Sequence, residues 1–524
     1  MNDKLHDALN EISDKHLNEA ETYKKPNHKP YWFAAVAALL IVAIGMGAIL
    51  GGNGIPGTTT GPLQLASKPT SGIFRPSQPT HSPLPTAPIT FPTLPQPSGV
   101  TPPELLELAN LVAAPQYPKM AQKPNEMDYP GNWDAYNAAN KAWRDNQKQQ
   151  YNQPDGYADS LTNFFFASMA EFLQGGGNPT YSPLNVYMAM AMLAETTGSS
   201  SRQQILDLFG LETIEQLRQQ ASYVWNAHYN DDGETTLLMA NSLWLDDFFS
   251  FHENTTNLLA NHYFASTFHG DLGTAEMDAQ LQAWLNANTG GLLKDQAQNV
   301  KLDPLTVFAL ASTVYFTAGW QDEFSVNKTK DDIFHCAHKD LTTPFMNQTF
   351  SQYTYYWGEN FGAISLKLTG NNRMWLILPD EGHTVAEIME SDDYLRMTLA
   401  PGSWKNQMIY KINLSLPKFD VVSQKDLISG MKNLGVTDVF DSELSDFSPM
   451  TDTPYLKVNQ INHAARVAID EKGCVAAAFT VLAAPGAGMP VELKEIDFIL
   501  DRPFLFIVSS RDNLPLFSGI VNEP

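Results

Sequence analysis

The sequence predicts an α+β globular domain over roughly the last two thirds of the chain, behind an N-terminal part built differently. Three observations carry this reading. From about Asp155 onward helical and strand-like stretches interleave irregularly, with no internal repeat and no steady strand–helix alternation. Hydrophobic residues make up 43% and aromatics 11% of the 524 residues, enough for a large core. A continuous apolar run near the N-terminus is followed by a stretch rich in Pro, Thr and Ser that cannot bury enough apolar surface to fold.

The first 30 residues are polar and mixed in charge. Tyr31-Trp32-Phe33 then leads into an uncharged run from Ala34 to Leu50, closed by Gly51-Gly52. At about 20 residues this run is long enough to cross a bilayer as a helix. It has no polar face, which argues against the alternative, a core helix of a soluble domain. Lys24, Lys25 and Lys29 precede it, and no charge follows before Lys68. Residues 1–30 are therefore expected to be a cytoplasmic tail, residues 31–52 a single transmembrane helix, and the rest extracellular at a cell membrane. The long lead and the lack of an A-x-A site speak against a cleaved signal peptide. Residues 53–103 read as a disordered stalk, stiffened by proline. Residues 104–156 read as an extension wrapping the main domain, residues 157–524.

Within that domain, Asp159 or Ser160 is expected to cap a helix running to Leu173, stopped by Gly175-Gly176-Gly177. Ser182-Pro183 reads as an N-cap with proline in the first turn. Thr306–Phe316, Met374–Leu378 and Ile412–Leu416 read as strands, and Ser423–Leu434 as a helix.

The net charge is −24, with 57 acidic and 33 basic residues and no basic patch, so nucleic acid is not an expected partner. Two cysteines, Cys336 and Cys474, are too few for a disulfide framework, and nothing in their spacing says that they pair. No Cys/His cluster has zinc spacing, and no cofactor is expected. G-x-S-x-G, H-E-x-x-H, the P-loop pattern and a strand-linked G-x-G-x-x-G are all missing.

The informative segment is Val467 to Pro490. A strand-like stretch ends at Asp470; then come Gly473, a run of small residues, and a Gly/Pro-rich tip. Taken as a strand, one face presents Cys474, Ala476, Ala478 and Thr480, all small. A buried strand ordinarily uses larger β-branched residues. Small ones suit a strand that slides between two others without overpacking the core. A plain Ala/Gly loop is the other reading of these residues.

This segment resembles the hinge and reactive-centre loop of the serpin family, and the likeness runs from about Phe165 to Pro524. Asn178 to Asn185 is similar to the family's N-x-x-x-S-P-x-S stretch, and Leu310 to Trp320 to its N-A-x-Y-F-x-G-x-W signature. Leu416-Pro417-Lys418-Phe419 resembles its L-P-K-F strand end. Asp446-Phe447-Ser448 followed by Val458 to His463 resembles D-F-S before the V-x-H strand. Asp501 to Phe506 and Leu516 to Asn522 are similar to its closing D-R-P-F-x-F and F-x-G-x-V-x-N-P. The short tail before the apolar run resembles those of Gram-positive anchored proteins, which points to a bacterial membrane-anchored member.

The resemblance implies a serpin-like fold: a large, mostly antiparallel central sheet, two smaller sheets, about nine helices and an exposed reactive-centre loop. It also implies a monomeric, non-enzymatic inhibitor. A serine protease cleaves the loop and is caught as a covalent acyl complex while the cut loop inserts as a new central strand. Gly473 is then the hinge beside Glu471 and Cys474, and Ala476, Ala477 and Ala478 let the loop enter. Glu471 and Lys418 resemble an ion pair at the top of the sheet, and Trp320 the tryptophan where insertion starts. Ser182, Asn185, Ser312 and His463 resemble the polar cluster that lets the central strands part. Departures are Ser312 for the usual Asn, Cys474 for Thr or Ser, Val475 for Glu, and the bulky Phe479.

Counting roughly sixteen residues beyond Glu471, as the resemblance implies, places the reactive bond at Ala487–Gly488, with Ala484 and Met489 as alternatives. A small residue there suits elastase-like or subtilisin-like enzymes. No Arg or Lys lies between Lys472 and Lys494, which disfavours a trypsin-like target. A non-inhibitory binding or adhesion module on the same fold is the competing expectation, favoured by Val475 and Phe479.

Overall fold

The computed structural model describes residues 36–46, 111–474 apart from 116 and 119, and 493–524. The expected tail, the stalk, Ala476 to Ala478 and the Ala487–Gly488 bond lie outside the described residues.

Eighteen strands are described: β1 (Val36–Met46), β2 (Leu111–Ala113), β3 (Thr180–Tyr181), β4 (Asn230–Asp231), β5 (Thr235–Asp246), β6 (Ala265–Gly270), β7 (Thr306–Gly319), β8 (Lys330–His335), β9 (Asp340–Trp357), β10 (Phe361–Lys367), β11 (Arg373–Pro379), β12 (Gln407–Pro417), β13 (Phe419–Asp426), β14 (Leu456–Ile469), β15 (Gly473–Cys474), β16 (Glu495–Ile499), β17 (Phe504–Ser509) and β18 (Pro515–Val521). The central sheet has the order β13-β14-β1-β7-β5-β6-β2, with β15 also on β7 and β4 on β5. Only β5 and β6 pair in parallel within it. A second nine-stranded sheet has the order β16-β12-β9-β10-β11-β17-β18-β3, with β8 on β9.

The second sheet corrects the expectation of two smaller sheets. β9 is 18 residues long and pairs with β8, β12 and β10, so one strand joins what would otherwise be separate sheets. Eleven α-helices are described where about nine were expected. Four of them have five to seven residues, too short to leave a helical period in the sequence. The helix expected over Ser423–Leu434 begins at Ile428, because Ser423 to Asp426 continue β13 against β14.

The helix Pro183–Thr196 is buried along its whole length and lies under β7 and β1. Ser182 caps it, its Oγ accepting the Asn185 N–H at 3.2 Å. Residues 111–151 pack on the same body. β2 extends the central sheet at β6, and Tyr117 stacks among Trp225, Tyr229 and Phe264.

The largest correction concerns the apolar run. Over Val36–Met46 it is a strand, not a transmembrane helix. Among the described residues no helix is long and apolar enough to cross a membrane. β1 pairs antiparallel with β14 from Val36↔Val467 to Met46↔Leu456, and with β7 from Val36↔Phe316 to Gly45↔Thr306. Both of its faces are covered. Ala38, Leu40, Val42 and Ile44 join the main core, while Ala37, Leu39, Ile41 and Ala43 join a smaller core with Trp244, Leu281 and Trp284. A central strand buried on two faces has no reason to alternate, so its hydropathy matches that of a bilayer helix. Burying Leu39, Leu40, Ile41, Val42 and Ile44 contributes roughly 1.5–3 kcal/mol each.

Candidate functional site

Two clusters of the expected residues lie along the boundary between β14 and β7. The upper one sits where β14 ends. Asp470 to Lys472 turn the chain back, and Gly473 and Cys474 then pair with Gly319 and Ala318 of β7. Gly473 has φ +132, and a Cβ there would lie 2.6 Å from the Trp320 nitrogen and 2.7 Å from the Ala318 oxygen. Only glycine fits a left-handed position this close to another backbone. Trp320 is buried, and its indole Nε1–H donates to the Asp470 oxygen at 2.8 Å. Its main-chain N–H donates to the Lys472 oxygen at 2.9 Å. Trp320 therefore fastens both ends of the turn.

Lys418 Nζ and Glu471 Oε2 are 2.7 Å apart, and Glu471 Oε1 accepts from Thr329 Oγ1 at 2.8 Å. Burial pushes the Glu471 carboxyl up, but the hydrogen bonds from Lys418 and Thr329 outweigh it and hold it below its ordinary value. At the neighbouring Asp470 burial outweighs the hydrogen bond that Oδ1 accepts from the Lys472 N–H, and the carboxyl is raised.

The lower cluster lies beneath the middle of β1. Ser182 Oγ donates to the Leu516 oxygen at 2.6 Å, and the Ser182 N–H donates to His463 Nε2 at 3.1 Å. The other imidazole nitrogen, Nδ1, donates to the Leu39 oxygen at 2.9 Å. His463 is fully buried, which drives its pKa down to about 4 despite the Leu39 carbonyl. It is therefore neutral near pH 7, with the proton on Nδ1. Asn185 Nδ2 donates to Ser312 Oγ at 3.3 Å. Ser312 in the usual asparagine position thus still takes a bond from the cluster.

The structure so brings Glu471, Gly473, Trp320 and Lys418 together at the top, and Ser182, Asn185, Ser312 and His463 together in the middle. Cys474 is placed by its main chain alone. Cys336 is a free thiol, its pKa raised by burial. Among the described residues no group of His, Cys, Asp or Glu could hold a metal ion. The participant that sequence reasoning missed is Leu39. It enters through its main-chain oxygen, which no side-chain pattern announces.

Comparison with known proteins gives the family and the fold. The profile of a family described as "Serpin (serine protease inhibitor)" matches residues 159–524. Serpin-ZX of Arabidopsis thaliana is 26% identical over 367 residues, 66% of this chain and 92% of the relative. An alpha-1-antitrypsin-like protein of Ictidomys tridecemlineatus is 27% identical over 371 residues, 69% of this chain and 87% of the relative. The native-state crystal structure of tengpin, a thermophilic serpin, superposes with a TM-score of 0.62 at 24% identity. It covers 71% of this chain and 95% of tengpin, and shows the shared fold. These two relatives are a plant and an animal protein, so they lend nothing to a bacterial, membrane-anchored origin. A family match over residues 159–524, on a fold with this sheet and turn, places the chain in the serpin family of serine protease inhibitors.

Proposed function

We propose that the chain inhibits serine proteases of the elastase-like or subtilisin-like kind, by cleavage of its reactive-centre loop and insertion of the cut loop into the central sheet. The observation that carries this is the place between β14 and β7. The sheet accepts a full additional strand there, paired on both edges, and Gly473 and Cys474 already point the chain into it. Small residues at 476–478 and around Ala487–Gly488 suit both insertion and a protease with a shallow primary pocket. The target is held as a covalent acyl complex when the cut loop, in place of β1, takes that position.

A second reading has its own observation. The place that a cut loop would take is filled by β1, which favours a non-inhibitory binding or adhesion module. A cell-membrane address, N-terminus inside and main domain outside, would need residues 36–46 as a bilayer helix in place of β1. A bilayer helix and β1 are mutually exclusive homes for residues 36–46.

The test mixes the full chain, and a variant with Val42→Asp that bars β1 from the core, with elastase-like, subtilisin-like and trypsin-like proteases. A denaturant-resistant adduct with the first two in either protein, and a released peptide starting at Gly488, supports inhibition. Clean loop cleavage without adduct in both proteins leaves the binding-module reading.

A further inference from the structure

β15 and β1 lie in line on the same edge of β7. Thr235 of β5 takes the other edge at Ala318, while Cys474 takes this one. Both strands run antiparallel to β7. Cys474 pairs with Ala318, and Val36 pairs two residues further along, with Phe316. Continued in its own register, the loop would bring Val475 to Thr317 and Ala476 to Phe316, the partner that Val36 holds. The strand that starts at Gly473 therefore meets β1 end-on.

The same register sets the two sequences against each other. So continued, Ala477 would fall on Ala37, Ala478 on Ala38, Phe479 on Leu39, Val481 on Ile41, Leu482 on Val42 and Ala483 on Ala43. Small residues meet small ones and large meet large. Three positions break the match, Ala476 on Val36, Thr480 on Leu40 and Ala484 on Ile44, and of the β1 residues there Leu40 and Ile44 face the main core. There β1 buries more apolar surface than the loop would. At its far end Gly45 passes Asn459 and the Leu305 main chain so closely that any Cβ would collide, so β1 is closely fitted at that end. His463, in the polar cluster beneath the slot, spends a hydrogen bond on the Leu39 oxygen.

We propose that Val36–Met46 is a built-in competitor for the loop's place in the central sheet. While it lies between β14 and β7, the loop cannot insert past Cys474; when it is withdrawn, insertion is switched on. The proposal rests on the insertion reading above and adds its regulation.

The test uses the full chain and full-chain variants. Val42→Asp and, separately, Ala38→Glu put a charge where β1 faces the main core; Val42→Ile is the conservative control. Neither position lies in the residues that follow the hinge. Circular dichroism and elution volume establish that each variant is folded. Each protein is cleaved in its loop, and two quantities are read: protease adduct on denaturing gels, and the change in melting temperature on cleavage. Wild type and Val42→Ile are expected to be cleaved without adduct and without a rise in melting temperature. Val42→Asp and Ala38→Glu are expected to gain heat resistance on cleavage and to trap the protease. A synthetic peptide with the sequence of residues 36–46, added to Val42→Asp before the protease, is expected to abolish both gains. Heat resistance without adduct upholds the competition and removes the inhibitor reading. Equal behaviour of wild type and charged variants, whether both gain or neither does, overturns the competition. Should the charged variants not fold, the synthetic peptide added to an excess of wild type decides through amide exchange. Protected β1 amides that stay protected uphold a seated strand, and freely exchanging ones overturn it.

Discussion

His463 Nδ1 donates to the main-chain oxygen of Leu39 at 2.9 Å, although 424 residues separate the two. Through its other nitrogen the same ring accepts the Ser182 N–H, the residue that caps the buried helix Pro183–Thr196. A single neutral imidazole thus ties β1 to the centre of the domain.

Acid is expected to cut this tie at its Ser182 end, because a proton on Nε2 would face the Ser182 N–H while Nδ1 keeps donating to Leu39. The folded pKa of His463, about 4, lies below the ordinary histidine value of 6.5, and Lys425 on the adjacent strand opposes protonation. The unfolded chain therefore takes up this proton first. The contribution is complete above pH 6.5, falls as the pH drops, and is gone below pH 4, for a total on the order of 3 kcal/mol. Urea unfolding between pH 4 and 7 should show this slope, and His463→Gln should flatten it.

Replacing Arg218 tests a buried ion pair. Its Nε and Nη2 donate to the two Glu195 oxygens at 2.7 Å each, and Tyr263 Oη–H donates to the same carboxylate at 3.2 Å. Glu195 is 1% exposed. Arg218→Met strands that carboxylate, and a loss of about 3–5 kcal/mol in urea unfolding is expected. Arg218→Met with Glu195→Leu should recover most of it.

Gly473→Ala is expected to break the hinge turn. The new Cβ would press on the Trp320 nitrogen from a φ that L-residues avoid. A loss of about 1–3 kcal/mol is expected, with a shift in Trp320 fluorescence as its bonds to Asp470 and Lys472 let go. Unchanged emission and stability would show that the turn has another support.

Lys418→Met leaves Glu471 with Thr329 as its remaining side-chain partner. About 1–3 kcal/mol should be lost near neutral pH. Because the Glu471 carboxyl is held below its ordinary value, the loss should shrink as the pH falls and both proteins protonate it. Denaturation of the two proteins at neutral and acid pH reads this directly.

The polar landmarks of the site were legible because their residue types are unusual where they stand. A Ser-Pro helix start and a glycine followed by alanines both leave marks in one dimension. The resemblance then carried Lys418 to Glu471 and Ser182 to His463, pairs that no local pattern links. The fate of residues 36–46 was not legible. A run such as Val-Ala-Ala-Leu-Leu-Ile-Val-Ala-Ile satisfies a bilayer and a sheet covered on both faces equally well. What decides between them is the presence of two open strand edges, supplied by residues more than 260 and more than 400 positions away. Hydropathy has no access to that. The reach of β9 was hidden for a related reason, since nothing in an alternating stretch says how many partners it will serve.

β1 is joined covalently to the domain that it completes, through residues 47–110. It therefore behaves as a tethered ligand. Its local concentration around the sheet is set by the connection and not by how much protein is present, and any free peptide must outbid it on those terms. A single cut anywhere between residues 47 and 110 would turn this intramolecular association into a bimolecular one. Dilution would then favour release, so the same protein would behave differently before and after a nick that touches none of its site.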